Sequence, residues 1–208
     1  MKIEPSATSF ILLRNNQIIL DGKPAFENKE LLAIDFLDAA YEHFQINYPK
    51  FFKMDNLCKT GFIAAELLLR TNKSKESLQP EEIGVIISNA NSSLDTDLKY
   101  EESIKTNPSP SLFVYTLPNI LIGELSIRHK IKGESACFVF DIFDAEFQTE
   151  YINTLFETGK VKICLSGWAD FYNGKGEAFF YLTEIKCDAD SVKHSSENIN
   201  RLYNQANT

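Results

Sequence analysis

Few residues in this chain are equipped for chemistry, and their spacing limits what they can do. Cysteine occurs at 58, 137, 164 and 187, never as a Cys-x-x-Cys pair, and two of these residues sit in apolar, strand-like runs. That pattern fits buried free thiols better than disulfides or a zinc site. His43, His129 and His194 are spread over two predicted helices and the tail. They offer no catalytic pair and no metal cluster, so His43 and His194 read as surface residues and His129 as the end of a buried helix. Asn91, Ser93, Asp95 and Asp97 alternate like the first ligands of a calcium loop, but no glycine or distal glutamate completes the loop. GKGE at 174–177 is too short for a phosphate loop and reads as a turn. LSGWAD at 165–170 has neither a Gly-x-Ser-x-Gly elbow nor a neighbouring histidine. No metal and no cofactor is implied. One stretch is left, IKGESACFVFDIFDAEFQ at 131–148: a glycine, an apolar strand, and an aspartate-rich turn that opens a helix. A nucleophile is often held at such a turn, yet the residue there is Ile142.

The elements that position this turn follow from periodicity. Thr8 to Leu13 and Gln17 to Leu20 read as a hairpin around Arg14-Asn15-Asn16. Apolar residues recur at helical spacing from Asn28 to Phe44 and again from about Asn56 to Arg70. IGVIIS at 83–88 is a continuous β-branched run suited to a strand buried on both faces, and a polar stretch follows it. Leu112 to Ile131 reads as a largely buried helix that Pro118 either kinks or starts. The spacing then predicts a strand from about Ser135 to Ile142 and a helix from Asp144 to about Thr158, with Asp144 as its cap and Gly159 at its end. VKICLSGWA and EAFFYLTEI are strand-like, and a polar, weakly helical tail occupies 188–208. Strands alternating with helices argue for an α/β layered domain with a mostly parallel sheet.

Composition narrows the function. The 208 residues carry a formal net charge of -8 and no basic stripe, which disfavours nucleic acid as a partner. Near the start the longest apolar run is Phe10 to Leu13, so neither a signal peptide nor a membrane span is expected, and a cytoplasmic location follows as the default.

The segment from PSLFVYTLPNILIGELSIRHKIKG through FVFDIFDAEFQTEYINTLFETGKVKICLSGWAD resembles the middle of the β-ketoacyl-acyl-carrier-protein synthases, of the thiolase superfamily. Asn119, Gly123, Gly133 and Gly167-Trp168-Ala169-Asp170 fall in the family's order. FFKMDNLCKTGFIAAELLL and GEAFFYLTEI extend the resemblance over about residues 50 to 187. It implies a single domain over 1–187, a thiolase-like half with a mostly parallel mixed sheet and a buried helix layer, corresponding to the family's N-terminal half. It also puts Ile142 where the family keeps its nucleophilic cysteine, and isoleucine has no lone pair with which to attack a thioester. The family's paired histidines belong to a second half that this stretch does not reach.

No catalytic residue is therefore assigned. What the resemblance implies is a non-catalytic, accessory or chain-length-factor-like subunit in fatty acid, polyketide or aryl-polyene synthesis. Its strand from Ser135 to Ile142, with Phe138, Phe140 and Ile142 as apolar anchors, would make a homodimer or a heterodimer with a ketosynthase, and acyl carrier protein is a possible further partner. Two alternatives stay open: a synthase or acyltransferase subunit whose site another chain completes, and a module that binds an acyl chain or acyl carrier protein.

Overall fold

The computed structural model describes residues 4–72, 74–185 and 191–205. Eight strands form one sheet: β1 (Ser6–Arg14), β2 (Gln17–Leu20), β3 (Lys23–Glu27), β4 (Ile83–Asn89), β5 (Ser135–Val139), β6 (Ile163–Tyr172), β7 (Lys175–Glu184) and β8 (Val192–Lys193). Their order is β3-β2-β1-β7-β6-β4-β5, with β8 paired to β1. The sheet is mixed, as expected. Five strands point one way, but only β4–β5 and β4–β6 are parallel neighbours; β2, β7 and β8 run against the rest and make the other five pairings antiparallel. The expected dominance of parallel pairing thus fails for a local reason. Asn15-Asn16 and Asn173-Gly174, all at positive φ, make hairpin turns too short for a parallel crossover.

One face of the sheet is covered by α1 (Ala33–His43), α2 (Asn56–Thr71) and α5 (Ile120–His129), packed on Ile11, Leu13, Val85, Ile87, Leu165, Phe180 and Leu182. From Asn56 to Leu69 α2 is buried on every side, beyond the single apolar stripe that its spacing predicts. The other face carries α6 (Ala145–Glu157) and α7 (Ser196–Asn204), packed on Leu12, Ile86, Cys164, Trp168, Phe179 and Tyr181. The tail expected to be weakly helical therefore includes a helix that buries Ile199 and Leu202 against the sheet, at about 1.5–3 kcal/mol for each side chain. The expected boundary at 187/188, with Cys187, lies outside the described residues.

Two segments depart from expectation. The polar stretch after β4 contains α3 (Leu94–Ile104), of which only Thr96 is buried. No apolar stripe announces it because polar contacts hold it: Thr96 Oγ1 donates to Asp55 at 2.6 Å and Asn56 Nδ2 to Asp95 at 3.2 Å. The single helix expected from 112 to 131 is instead two, α4 (Pro110–Val114) and α5, separated at the residues flanking Pro118.

His194 also corrects the sequence reading. It is 3% exposed, with Nδ1 2.8 Å from Asn153 Oδ1 on α6 and Nε2 3.4 Å from the Tyr181 hydroxyl on β7. Burial lowers its pKa from 6.5 to about 4; burial and then the nearby Lys75 charge do the same to His129. Both are neutral at pH 7, and both take up protons more readily unfolded than folded. Their contribution to stability is therefore complete above about pH 6.5 and is lost as pH falls from 6.5 towards 4. Urea midpoints are expected to drop between pH 7 and pH 5, and to drop less in His194→Gln.

Candidate functional site

At the carboxyl ends of β4, β5 and β6 the chain leaves the sheet in three turns, which is where open α/β sheets form crevices. A cleft of about 1170 Å³ lies there, walled by Ala90 and Asn91 after β4, Asp141 to Phe143 after β5, Trp168 and Asp170 on β6, and Leu31 to Ala33 at the start of α1. Asn200, Tyr203 and Asn204 of α7 close another side. Asp170 is pinned by Asn91, whose backbone N–H donates at 3.0 Å and whose side-chain amide donates at 2.5 Å. Arg14 bridges Glu177 at 2.7 Å with its guanidinium 4.7 Å above the Tyr203 ring.

Ile142, placed by the resemblance at the nucleophile position, is 75% exposed on this cleft. It stands three residues past the end of the strand, because β5 ends at Val139 and the last bond to β4 is Phe140 N–H to Asn89 O at 2.9 Å. The predicted strand to Ile142 is thus three residues too long: β4 ends at Asn89 and offers nothing further to pair. Asp144 caps α6 as expected, accepting from Phe147 N–H at 2.9 Å.

No cysteine and no histidine is among the residues lining the cleft. Cys58 and Cys164 are fully buried, and burial pushes the Cys164 thiol up to about 12 and the Cys58 thiol well above its ordinary value. Burial also raises Cys137, whose Sγ donates to Pro118 O at 3.3 Å on the α5 side of β5. Such thiols are poor nucleophiles. The aspartates that suggested a calcium loop are already engaged, Asp95 with Lys99 and Asp97 with Ser93. Among the described residues no group of three or more His, Cys, Asp or Glu could hold a metal ion.

A thiol placed at this turn should behave as an ordinary exposed one. The α6 amino terminus would favour an anion, but the Asp144 carboxylate already occupies it. In Ile142→Cys the alkylation rate is expected to titrate at or above about 8.5, and Asp144→Asn, which keeps the cap, to lower that midpoint. A midpoint below about 7 in Ile142→Cys alone would contradict this account.

Beside the cleft, β5 is the open edge of the sheet. Residues 134, 136, 138 and 140 bond to β4, as Val85 N–H to Glu134 O and Phe140 N–H to Asn89 O show at the two ends, so Ser135, Cys137 and Val139 turn their N–H and C=O groups outward. Phe138 and Phe140 are half-buried on α6, against Phe147 at 4.7 and 4.9 Å between centroids. Val139 is 54% exposed, and Phe113, Val114 and Leu117 expose apolar surface in the segment leading to Pro118. Sequence reasoning missed these four residues; for Phe113, Val114 and Leu117 the signal was the all-round apolar content of PSLFVYTLP, which exceeds what one buried face requires.

Asn119 is the N-cap residue of α5, without a side-chain capping bond, and Gly123 lies inside that helix. Gly133 precedes β5 against the backbone of Glu81 and Ile83, and Gly167 lies in β6 opposite Phe180. These four residues are spread over the sheet and α5 and do not converge on the cleft.

The open mixed sheet, the helix layers on both faces and the strand-turn-helix at 135–157 make up a fold similar to that of solved ketosynthase structures. No family model matches the chain, and no curated protein matches it. Among solved structures it is similar to the ishigamide ketosynthase/chain length factor, with a TM-score of 0.64 at 15% identity over 89% of this chain and 63% of the other. It is similar also to a type II polyketide synthase acyl-carrier protein in complex with its ketosynthase, at 0.61, 16%, 88% and 63%. A third is a ketosynthase in complex with its chain length factor from Xenorhabdus doucetiae, at 0.60, 12%, 88% and 79%. The chain thus spans less than two thirds of the length of the first two. Among the described residues no helix is long and apolar enough to cross a membrane.

Proposed function

We propose that this chain is a non-catalytic, ketosynthase-like accessory subunit of the chain-length-factor kind, which associates through the β5 edge with an active ketosynthase in fatty acid, polyketide or aryl-polyene synthesis. The observation that carries the proposal is the cleft at the strand ends, whose wall includes Ile142, the residue the resemblance aligns with the nucleophile, and neither a cysteine nor a histidine. An isoleucine side chain has no lone pair with which to form a thioester-derived acyl-enzyme. The free backbone groups of β5 and the apolar surface around Val139 and Leu117 supply the contact, since an exposed edge of this kind needs a cover. The ketosynthase–chain length factor complexes among the similar folds support a ketosynthase partner, and the ketosynthase complex with a carrier protein supports acyl carrier protein as a further one.

Two measurements test the reading. Intact-mass spectrometry after incubation with acyl-phosphopantetheine donors is expected to show no covalent adduct, and an adduct would restore the reading of a site completed by another chain. Co-purification with a ketosynthase encoded in the same gene neighbourhood is expected to succeed, and to fail for Val139→Pro. That proline removes an outward N–H and leaves the bonds to β4 in place. Failure of the wild-type chain to capture the ketosynthase would overturn the proposal. The volume of the cleft favours one second reading, a module that holds an acyl chain without reacting; carrier-protein binding with no ketosynthase capture would select it.

A further inference from the structure

The cleft at the strand ends has a chemistry that no ketosynthase partner explains. We propose that it binds a neutral saccharide, held by amide and carboxylate groups on its walls and by apolar side chains at its rim. Asparagine is concentrated there. Six of the sixteen asparagines in the sequence line the cleft, although its walls draw on only twenty-three of 208 residues. Asn15, Asn16 and Asn173 sit at positive φ in the β1–β2 and β6–β7 turns, which the pairing of β1 with β7 sets side by side, and asparagine tolerates that backbone. Turn geometry does not account for Asn91, Asn200 and Asn204, which line the same space from the end of β4 and from α7. Three of the six amides are oriented: Asn16 Nδ2 donates to Leu31 O at 2.6 Å, Asn91 Nδ2 to Asp170 at 2.5 Å, and Asn204 Nδ2 to Asn200 O at 2.8 Å. Each bond fixes the amide plane and leaves the side-chain oxygen to accept from a ligand hydroxyl.

Charge points to an uncharged ligand. Three cationic side chains in the walls, Arg14, Lys29 and Lys175, are matched by three carboxylates, Asp141, Asp170 and Glu177, so the cleft is balanced in a chain whose formal charge is -8. Balanced walls give neither a phosphate nor an ammonium ion a complementary field. Asp170 and Glu177 are direct partners across β6 and β7, where like charges ordinarily repel. Asn91 holds the first with two donors and Arg14 holds the second at 2.7 Å. Carboxylates fixed side by side accept strongly from adjacent hydroxyls, which is the pattern a sugar ring presents.

The apolar part of the lining completes the match. Leu32 and Ile142, two of the most exposed large hydrophobic residues of the chain, both line the cleft and offer cover to the C–H face of a ring whose hydroxyls meet the amides. An acyl chain fits the volume but would bury amides and carboxylates without partners, at about 1–3 kcal/mol for each group. A saccharide satisfies both kinds of surface at once.

Trp168 is the single tryptophan of the chain and lines the cleft, so its fluorescence reports occupancy in the unmodified full chain. Titration with glucose, galactose, mannose, N-acetylglucosamine, cellobiose and lactose is expected to give a saturable change with at least one of them, half-complete below about 10 mM and about tenfold weaker for an epimer. Asn200→Ala, at an exposed position of α7, should weaken that binding about fivefold at an unchanged melting temperature, as the loss of one hydrogen bond does. A drift of equal size with every sugar, saturation by none of them, or tighter binding of octanoyl-pantetheine than of every sugar would overturn the proposal. The two proposals separate cleanly: ketosynthase capture without sugar binding removes only this one, and sugar binding without ketosynthase capture removes only the other.

Discussion

Gly167→Ala is expected to prevent the folded protein from accumulating, or to lower its stability by about 3 kcal/mol or more in denaturant titration. A side chain at 167 is excluded twice over. The residue sits at φ +143°, a conformation L-residues rarely adopt, and an added Cβ would stand 2.0 Å from the carbonyl oxygen of Phe179 on the paired strand. The obstacle is backbone, so no rotamer relieves it. Moving β6 instead would disturb the Gly167 carbonyl, which accepts from Gln148 at 3.2 Å and Ser88 at 3.4 Å in the buried layer under α6. Gly133→Ala meets a similar wall, with Ile83 O at 2.4 Å and Glu81 O at 2.7 Å. Gly123 is the control. A Cβ there meets nothing within 4 Å, and its place inside α5 means alanine should be neutral or stabilising by up to about 1 kcal/mol. Equal losses at 123 and 167 would show that close backbone approach does not explain these glycines.

These glycines also show how far the sequence could be read. Order and spacing placed Gly123, Gly133 and Gly167 in one family pattern, but the distances that make two of them indispensable are tertiary. Strands with strong β-branched or alternating character, such as IGVIIS and EAFFYLTEI, were legible because burial alone dictates them. The helix α3 was not, since its anchors are hydrogen bonds to residues some forty positions earlier in the chain. The turn at Ile142 was recognisable as a site by resemblance. Its cleft was not, because the walls come from six separated segments that only the β1–β7–β6–β4 order brings together. Phe138 and Phe140 were expected to be contact anchors, and they pack on α6, which leaves Val139 between them to face outward. Alternation along a strand assigns faces correctly, but it does not say which face a following helix will take.

Ile199→Asp is expected to unfold the layer formed by α6 and α7 and to lower the melting temperature of the whole domain, whereas Asn200→Asp, one residue on and exposed, leaves it unchanged. Ile199 has no accessible surface, and it packs in the cluster that contains Phe179 and Tyr181. The side chains of that cluster are apolar and aromatic, and burying a carboxylate among them costs several kcal/mol, a large fraction of a domain's stability. The effect should spread beyond α7 for a structural reason. His194, just before the helix, joins Asn153 of α6 to Tyr181 of β7, and Arg14 of β1 stacks on Tyr203. Losing α7 would therefore expose the sheet face under Phe179 and Tyr181, and would remove the Asn200–Tyr203 wall of the cleft at Ile142. Dye binding to exposed apolar surface, followed with far-ultraviolet circular dichroism, distinguishes the outcomes. A single lowered transition with raised dye binding means that the cooperative unit runs through α7; an unchanged transition means that the unit ends before it and that α7 is an appendage.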